Sequence, residues 1–381
     1  MTKVAFLVSK DPKTEHGGDV ALAKVVMRLA AESFDIRAIC FSDEPSGDTT
    51  VDVVEGGLPL KRVVQRPVNK VELLTGAVRR RRSLVHVRFD TDELVEAIEA
   101  SDDDVFFCEH SYMAESFIRS QHFGNKGFVI NTNITESQVW LATRGLLGKI
   151  EAPRLLRDEL RVAQLANAVG CYEIEEAETY RGNGVPGARF VDVTLPPIEQ
   201  IDLSQSGQRL VFLGGRDWPP NEEAFHIALR LWPRIAEGIP NAELCIVGAK
   251  KTGSTDPVYP DRVRDLGFVD DLPEFLKTCR ALIAPIRTGG GVRVKLLDAA
   301  SQGLPVVGSG PAVGSLRTVF GMSTFDHDDE FVAECRRMLL DRDAAAKAGR
   351  DLYEVNRTHW EQTRPQKAVE ALVQAGLNPV R

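Results

Sequence analysis

The chain has 381 residues, with 47 Lys and Arg against 55 Asp and Glu and a formal net charge of −8. At roughly 100–200 residues per domain this length predicts two domains, and 43% apolar with 27% charged residues is an ordinary globular balance. The negative balance excludes a whole-chain nucleic-acid binder, because a surface of that sign repels phosphate backbones, and no apolar run reaches the ~20 residues needed to cross a bilayer.

Lys3–Val8 is a continuous apolar run, the pattern of a strand buried on both faces. A polar stretch with His16-Gly17-Gly18-Asp19 follows, and then apolar residues at Val20, Leu22, Ala23, Val26, Met27 and Ala30, which predict a helix. Ile36–Phe41 is the next strand; Val105–Cys108, Gly127–Asn131 and Ala168–Tyr172 follow, with helices over Asp92–Ala100 and Leu155–Leu165. Thr194-Leu195-Pro196-Pro197 and the polar run to Gly207 break the pattern, since paired prolines continue neither a helix nor a central strand. Strands then recur at Arg209–Leu213, Ala242–Val247, Ala281–Pro285 and Leu304–Val307, with helices at Asn221–Glu237 and Gly291–Ser301 and a helical tail from Asp328. Alternating strands and helices predict two doubly wound α/β lobes facing across a cleft. The expected divisions are 1–197, 198–355 and a tail, 356–381, that packs back toward the first lobe.

Six cysteines stand at 40, 108, 171, 245, 279 and 335 without a CxxC pair. Four of them lie in apolar strand-like runs, where cysteine acts as a small hydrophobe; reduced thiols are expected. The N-terminus carries no apolar h-region of 7–15 residues, so the expected location is cytoplasmic.

The strongest chemical signal is Pro285-Ile286-Arg287-Thr288-Gly289-Gly290-Gly291-Val292-Arg293-Val294-Lys295-Leu296-Leu297-Asp298-Ala299. Three glycines connect a strand to a helix, where backbone can approach a ligand and free N–H groups meet an anion. Arg293 and Lys295 add cations at the same helix end, which opposes the dipole unless an anion joins them. Gly289, Gly290, Gly291, Val292, Arg293 and Lys295 therefore read as a diphosphate cradle, with Asp298 one turn on, placed for ribose hydroxyls. The plain alternative is a structural glycine turn beside solvated Arg and Lys.

On these residues the segment Gly214–Ala299 resembles the C-terminal lobe of GT-B-fold glycosyltransferases, specifically family 4 of the retaining enzymes. Phe212-Leu213-Gly214-Gly215-Arg216-Asp217-Trp218-Pro219-Pro220-Asn221, Trp232-Pro233-Arg234-Ile235, Ile246-Val247-Gly248, Leu266-Gly267-Phe268-Val269-Asp270-Asp271-Leu272 and Gly303-Leu304-Pro305-Val306-Val307 carry the likeness with the glycine block. The first lobe matches more loosely, through Gly17-Gly18, Cys108-Glu109-His110 and Asn133-Ile134-Thr135-Glu136-Ser137. The resemblance implies transfer of a sugar from a nucleoside-diphosphate sugar with retention, no metal and no separate cofactor. It implies roles as well. Gly17, Gly18, Gly215 and Arg216 would meet the diphosphate, His110 the transferred sugar, and Gly267, Phe268 and Val269 the base. His110, Arg216 and Lys295 would be catalytic, and Asn133, Glu136, Arg79 and Arg80 would lie on the acceptor side. His110 also reads as an ordinary loop or core histidine.

The chain departs from the family's usual pattern at two places. Asn221 stands where a lysine is common, and Gly290 where the first glutamate of Glu-x7-Glu is common, with Asp298 in the second position. A branch with the Gly-Gly-Gly block shares these changes, so Arg293 and Lys295 are expected to supply the lost phosphate charge.

Two further features remain. Asp90-Thr91-Asp92 directly precedes a helix and reads as a cap rather than a metal-binding triplet; Asp102-Asp103-Asp104 precedes a strand. Residues 61–88 hold nine Lys or Arg and one acid, Glu72. That block reads as a solvated loop or as a face for an anionic membrane or phosphorylated acceptor. The partners expected are the donor, a glycan, lipid-linked or small-molecule acceptor, and an anionic inner-membrane face, with no nucleic acid. The alternatives are a nucleotide-sugar epimerase, with Glu109 and Glu136 as candidate carboxylates, or a non-catalytic nucleotide-sugar-binding protein.

Overall fold

The computed structural model describes residues 1–65, 67, 69–132, 136–289 and 294–377. The chain forms two compact units, Met1–Val193 with the segment from Arg364, and Thr194–Thr363.

The first unit opens with β1 (Lys3–Val8), α1 (Gly18–Ala31), β2 (Asp35–Ser42), β3 (Gly47–Val51) and β4 (Leu58–Val64). Next come α2 (Lys70–Arg80), α3 (Leu84–Phe89), α4 (Asp92–Glu99), β5 (Val105–Glu109), a 3₁₀ turn at Ser111–Met113, α5 (Ala114–Arg119) and β6 (Gly127–Thr132). α6 (Glu136–Thr143), α7 (Gly145–Leu165), β7 (Ala168–Cys171), α8 (Ile174–Gly182) and β8 (Ala188–Phe190) complete its N-terminal part. The strands make one sheet in the order β3-β4-β2-β1-β5-β6-β7-β8. All pairs are parallel except β3 with β4. The apolar run of β1 is buried because both neighbours and both faces are covered: Val4 pairs with Ile36 on one side and Val105 on the other. Phe106, Phe117 and Phe128 pack ring against ring at 4.8–4.9 Å between centroids to fill one face.

The second unit contains a 3₁₀ turn (Leu203–Gln205), β9 (Arg209–Leu213), α9 (Pro219–Ala236), β10 (Glu243–Val247), β11 (Val263–Gly267), α10 (Leu272–Lys277), β12 (Ala281–Ala284) and α11 (Val294–Gln302). β13 (Val306–Gly308), α12 (Gly310–Val313), α13 (Leu316–Phe320), α14 (Asp328–Leu340) and α15 (Arg342–Glu361) follow. Its sheet is parallel in the order β11-β10-β9-β12-β13. α9 starts on Pro219-Pro220, positions where a missing N–H costs nothing.

α16 (Arg364–Leu377) returns to the first unit, against β5, β6, β7 and α1. The approach is close: a Cβ on Gly376 would stand 2.3 Å from Cγ2 of Val129. The expected tail start at 356 falls inside α15, which runs unbroken to Glu361 and packs within the second unit on α11 and α14. The break comes at Thr363, whose φ of 54° ends the helical path.

Residues 61–88 are not a loop. They form the end of β4, then α2 and α3, and Asn69 caps α2 by accepting the Val71 N–H at 3.0 Å. Arg62 turns inward to Asp11 (2.7 Å), while Arg79, Arg80 and Arg81 face solvent. Thr91 caps α4, its hydroxyl accepting the Leu94 N–H at 3.2 Å, as the Asp-Thr-Asp spacing predicts. All six cysteines are free and buried, and burial pushes the thiols of Cys245 and Cys279 up to about 11 and about 12.

Candidate functional site

In an open parallel sheet, ligands bind beyond the carboxyl ends of the strands, where the strand order reverses. In the first unit the reversal lies between β1 and β5; in the second it lies between β9 and β12. Most of the described candidate residues follow these strands: Gly17 and Gly18 after β1, His110 after β5, Gly215 and Arg216 after β9, and Gly289 and Lys295 after β12.

In the second unit Gly214 and Gly215 turn the chain from β9 into α9. Only glycine fits at 214, because a Cβ there would stand 2.9 Å from the Asn221 side chain. Nothing lies within 4 Å of a Cβ on Gly215. Lys295 is the second residue of α11, and its ammonium donates to the carbonyl oxygen of Leu213 (2.5 Å) and to Oδ1 of Asn221 (3.2 Å). It also stands 5.3 Å from the centre of the Phe212 ring. Leu213 and Asn221 offer neutral oxygens, which orient the ammonium. Lys295 thus puts a positive charge beside the side chain at 221, the position where the sequence lacks one. Thr288 is tied to α9 by donating its hydroxyl to Oε2 of Glu223 (2.7 Å). Gly290, Gly291, Val292 and Arg293 lie outside the described residues.

Arg216 is placed differently from the sequence expectation. It is buried, and its guanidinium donates to both oxygens of Asp265, at 2.7 and 3.1 Å. Further bonds go to the carbonyls of Gly248 and Ala249, each at 3.3 Å, and the group lies 4.8 Å from the centre of the Phe225 ring. Tyr259 donates its hydroxyl to the same carboxylate at 2.5 Å. Arg216 therefore ties the turn after β9 to β11 in this conformation instead of offering its guanidinium to a diphosphate. Asp265, Tyr259 and Phe225 were not legible as its partners, because they sit up to 49 residues away in sequence and carry no motif.

Gly267 ends β11 with φ 63°, a left-handed conformation that glycine takes at little cost. Phe268 follows and is 78% exposed, and Val269 is half-buried. Asp298 lies on α11, half-buried, and burial pushes its carboxyl up to about 6.

In the first unit, His110 is buried with φ 82° and ψ 144°, a region that side chains rarely adopt. Its backbone N–H donates to the carbonyl of Asn131 (2.9 Å), and its ring stacks on Tyr112 at 5.0 Å and 10°. Burial lowers the imidazole to about 4, against the pull of Asp19, so the ring is neutral near pH 7. Val8, Lys10, Asp19, Val20, Glu109 and His110 are among the residues that line a small pocket here. Lys10 meets Asp19 at 2.7 Å; burial raises the Asp19 carboxyl, but this cation outweighs it and holds it below the ordinary range. Glu136 begins α6. Burial, reinforced by the charges of Glu159 and Asp19, pushes its carboxyl up to about 7. Asn133 lies outside the described residues. Lys10, Asp19 and Glu159 carried no motif in the sequence. No group of three or more His, Cys, Asp or Glu arranged to hold a metal occurs among the described residues.

Residues 207–341 match the family model of the glycosyl transferases group 1. A search of the curated proteins finds no match. Among solved structures, the chain is similar to the sucrose-phosphate synthase of Thermosynechococcus elongatus, with TM-score 0.70 and 15% identity over 99% of this chain and 98% of that one. It is also similar to Anabaena HepE in complex with UDP and glucose, with TM-score 0.69 and 14% identity over 98% and 100%. A third is WaaG, a glycosyltransferase involved in lipopolysaccharide biosynthesis, with TM-score 0.67 and 12% identity over 97% and 99%. At these identities the likeness carries the fold, and the family match carries the second unit. The chain thus has the GT-B fold of these structures, and its residues 207–341 match the glycosyl transferases group 1 domain.

Proposed function

We propose that this protein moves a sugar from a nucleoside-diphosphate sugar to an acceptor hydroxyl, with retention of configuration and without a metal. The observation that carries this reading is the Lys295 ammonium, held at the start of α11 beside Asn221 and the carboxyl end of β9. A diphosphate at that point meets one fixed cation, close to the first described turn of α11. As the bond from the sugar's anomeric carbon to the phosphate oxygen breaks, the diphosphate takes the electron pair. Lys295, with Arg293 near it in sequence, stabilises the charge that develops. The acceptor oxygen bonds to the anomeric carbon, and its proton passes to the leaving phosphate. In this reading Lys295 and Arg293 take the charge-stabilising part that a metal would otherwise play.

The base would rest on the backbone of Gly267-Phe268-Val269 and the ribose on Asp298, while Gly17, Gly18 and the neutral His110 would meet the phosphate and sugar from the first unit. Glu136, Asn133, Arg79 and Arg80 would serve the acceptor, which we read as a glycan, a lipid-linked species or a small molecule. A cytoplasmic location completes the reading. The donor is the only small molecule required besides the acceptor.

The test is a thermal-shift screen of UDP, GDP, ADP, dTDP and CMP on the wild type and Lys295→Ala. At 100 times its Kd one ligand adds about 2.7 kcal/mol to stability. We expect UDP, the nucleotide held by HepE, to raise the wild-type melting temperature and to lose that effect in the variant. No response to any of the five would reject the reading.

A further inference from the structure

Among the described residues, large apolar side chains standing in solvent concentrate on one part of the first unit. Val71, Leu74 and Val78 of α2, Leu141 of α6, and Leu146, Leu147 and Ile150 of α7 are seven of fifteen such side chains. On α2 the spacing of three and four residues puts Val71, Leu74 and Val78 on one stripe, and Val71 and Val78 are 68% and 72% exposed. The sheet of the unit does not use this stripe: Ala77 is the one buried residue of α2.

α2 and α7 are fastened together. Arg154 of α7 donates Nη2 to the carbonyls of Ala77 (3.2 Å) and Arg82 (2.8 Å), and Arg157 donates to that of Arg81 (2.5 Å). Leu147, Ile150, Arg154 and Arg157 follow one another at three and four residues, so the exposed apolar end of α7 continues the helix face that grips α2.

The same elements expose Lys70, Arg79, Arg80, Arg81, Arg144 and Lys149. Of these, only Arg80 has an ion pair among the described residues, with Asp90 at 2.5 Å. Glu72 is the exposed acid of α2, and Glu151 of α7 is buried against Arg154. In a chain of formal charge −8, this is a cationic rim around an apolar stripe. Two copies meeting on it would bring like charges together. A phosphate backbone alone would leave the apolar side chains unused. A lipid surface takes both: the stripe enters the boundary of headgroup and acyl chain, and the cations meet anionic headgroups. The eleven residues of α2 span about 16 Å, enough to lie in an interface and too short to cross it.

We propose that α2, with the joined ends of α6 and α7, docks the first unit on an anionic lipid surface. This proposal stands apart from the donor reading. The test is sedimentation of the full chain with vesicles of phosphatidylcholine, alone or with about 30% phosphatidylglycerol, at about 0.1 M salt. Binding to the anionic vesicles is expected to be at least about tenfold tighter than to neutral ones. The variant Arg79→Gln with Arg81→Gln should lose roughly tenfold, and Leu74→Ser with Val78→Ser a similar factor. Both variants should keep the wild-type circular dichroism and melting temperature, because the side chains are exposed. Absent binding, equal binding to both vesicle types, or binding untouched by both variants overturns the proposal. A dimer in sedimentation velocity that Leu74→Ser with Val78→Ser disperses would assign the face to a second copy and overturn it as well. A nucleotide thermal shift on the same samples separates the two readings, since vesicle binding without nucleotide response rejects only the transferase reading.

Discussion

The two units place their candidate residues at the same topological point and build them from opposite materials. After β9 and β12 of the second unit the described part of the site is glycine turns and one cation, Lys295, held on the oxygens of Leu213 and Asn221. After β1 and β5 of the first unit it is a set of titratable groups set against one another by burial. His110 is kept neutral, Asp19 is kept charged by Lys10, and Glu136 is poised near pH 7. The second unit holds a fixed charge in place, and its design is positional. The first unit presents groups whose charge depends on desolvation, and its design is chemical. That difference explains why a turn motif announces one site and only a looser likeness announces the other.

The largest effect that would sharpen this comparison concerns Arg216. Removing it as Arg216→Ala leaves Asp265 buried and charged, which should cost about 3–5 kcal/mol in urea unfolding. The double variant Arg216→Met with Asp265→Leu should recover most of the loss. A change of under about 1 kcal/mol, with nucleotide binding lost, would instead make Arg216 a phosphate ligand and return it to the positional set.

Next is Lys295. Lys295→Ala should lower kcat by roughly 10²–10³-fold. Because its ammonium rests against Asn221, adding Asn221→Lys should restore part of that loss by supplying the charge from α9. Absence of any rescue would mean that the exact direction of approach from α11 matters as much as the charge.

The smallest effects belong to the first unit and are read in pH. Folded Glu136 titrates at about 7, above its ordinary 4.5. The folded state therefore holds the extra proton between these values, and stability falls as pH rises through that window. Glu136→Gln should be more stable than wild type by roughly 1–3 kcal/mol at about pH 8, with the gain vanishing near pH 4. His110 works in the opposite sense. Its folded value of about 4 lies below the ordinary 6.5, so the unfolded state takes the proton first and stability is lost as pH falls from 6.5 toward 4. His110→Asn should flatten that acid limb. A Glu136→Gln gain that does not vary with pH would remove the chemical half of the comparison.

Much of the fold was legible because buried parallel strands write themselves as unbroken apolar runs. Lys3–Val8 and Arg209–Leu213 were read with the bounds the structure has. β11 was missed because Val263-Arg264-Asp265-Leu266-Gly267 is an edge strand with only one neighbour, β10, and alternates with polar residues. α2 was missed because its apolar residues face solvent, so its periodicity marks no core, and Arg79–Arg82 reads as loop. In the site, glycines and cations are visible as residue types. The ion pair that occupies Arg216 depends on a strand 49 residues on, and the strained backbone of His110 depends on how β5 ends; neither leaves a trace at its own position.

The return of α16 to β5, β6 and β7 has a consequence for how the chain is made. The first unit is not finished when its first 193 residues emerge from the ribosome; its last helix is encoded after the whole of the second unit. Val129 and its neighbours on that sheet face must wait, uncovered, while about 170 more residues are added, at 5–20 residues per second. The second unit, uninterrupted from Thr194 to Thr363, can close first. Synthesis order and completion order are thereby inverted. A fragment cut at 193 would be an aggregation-prone half-product, whereas 194–363 is the piece to express alone.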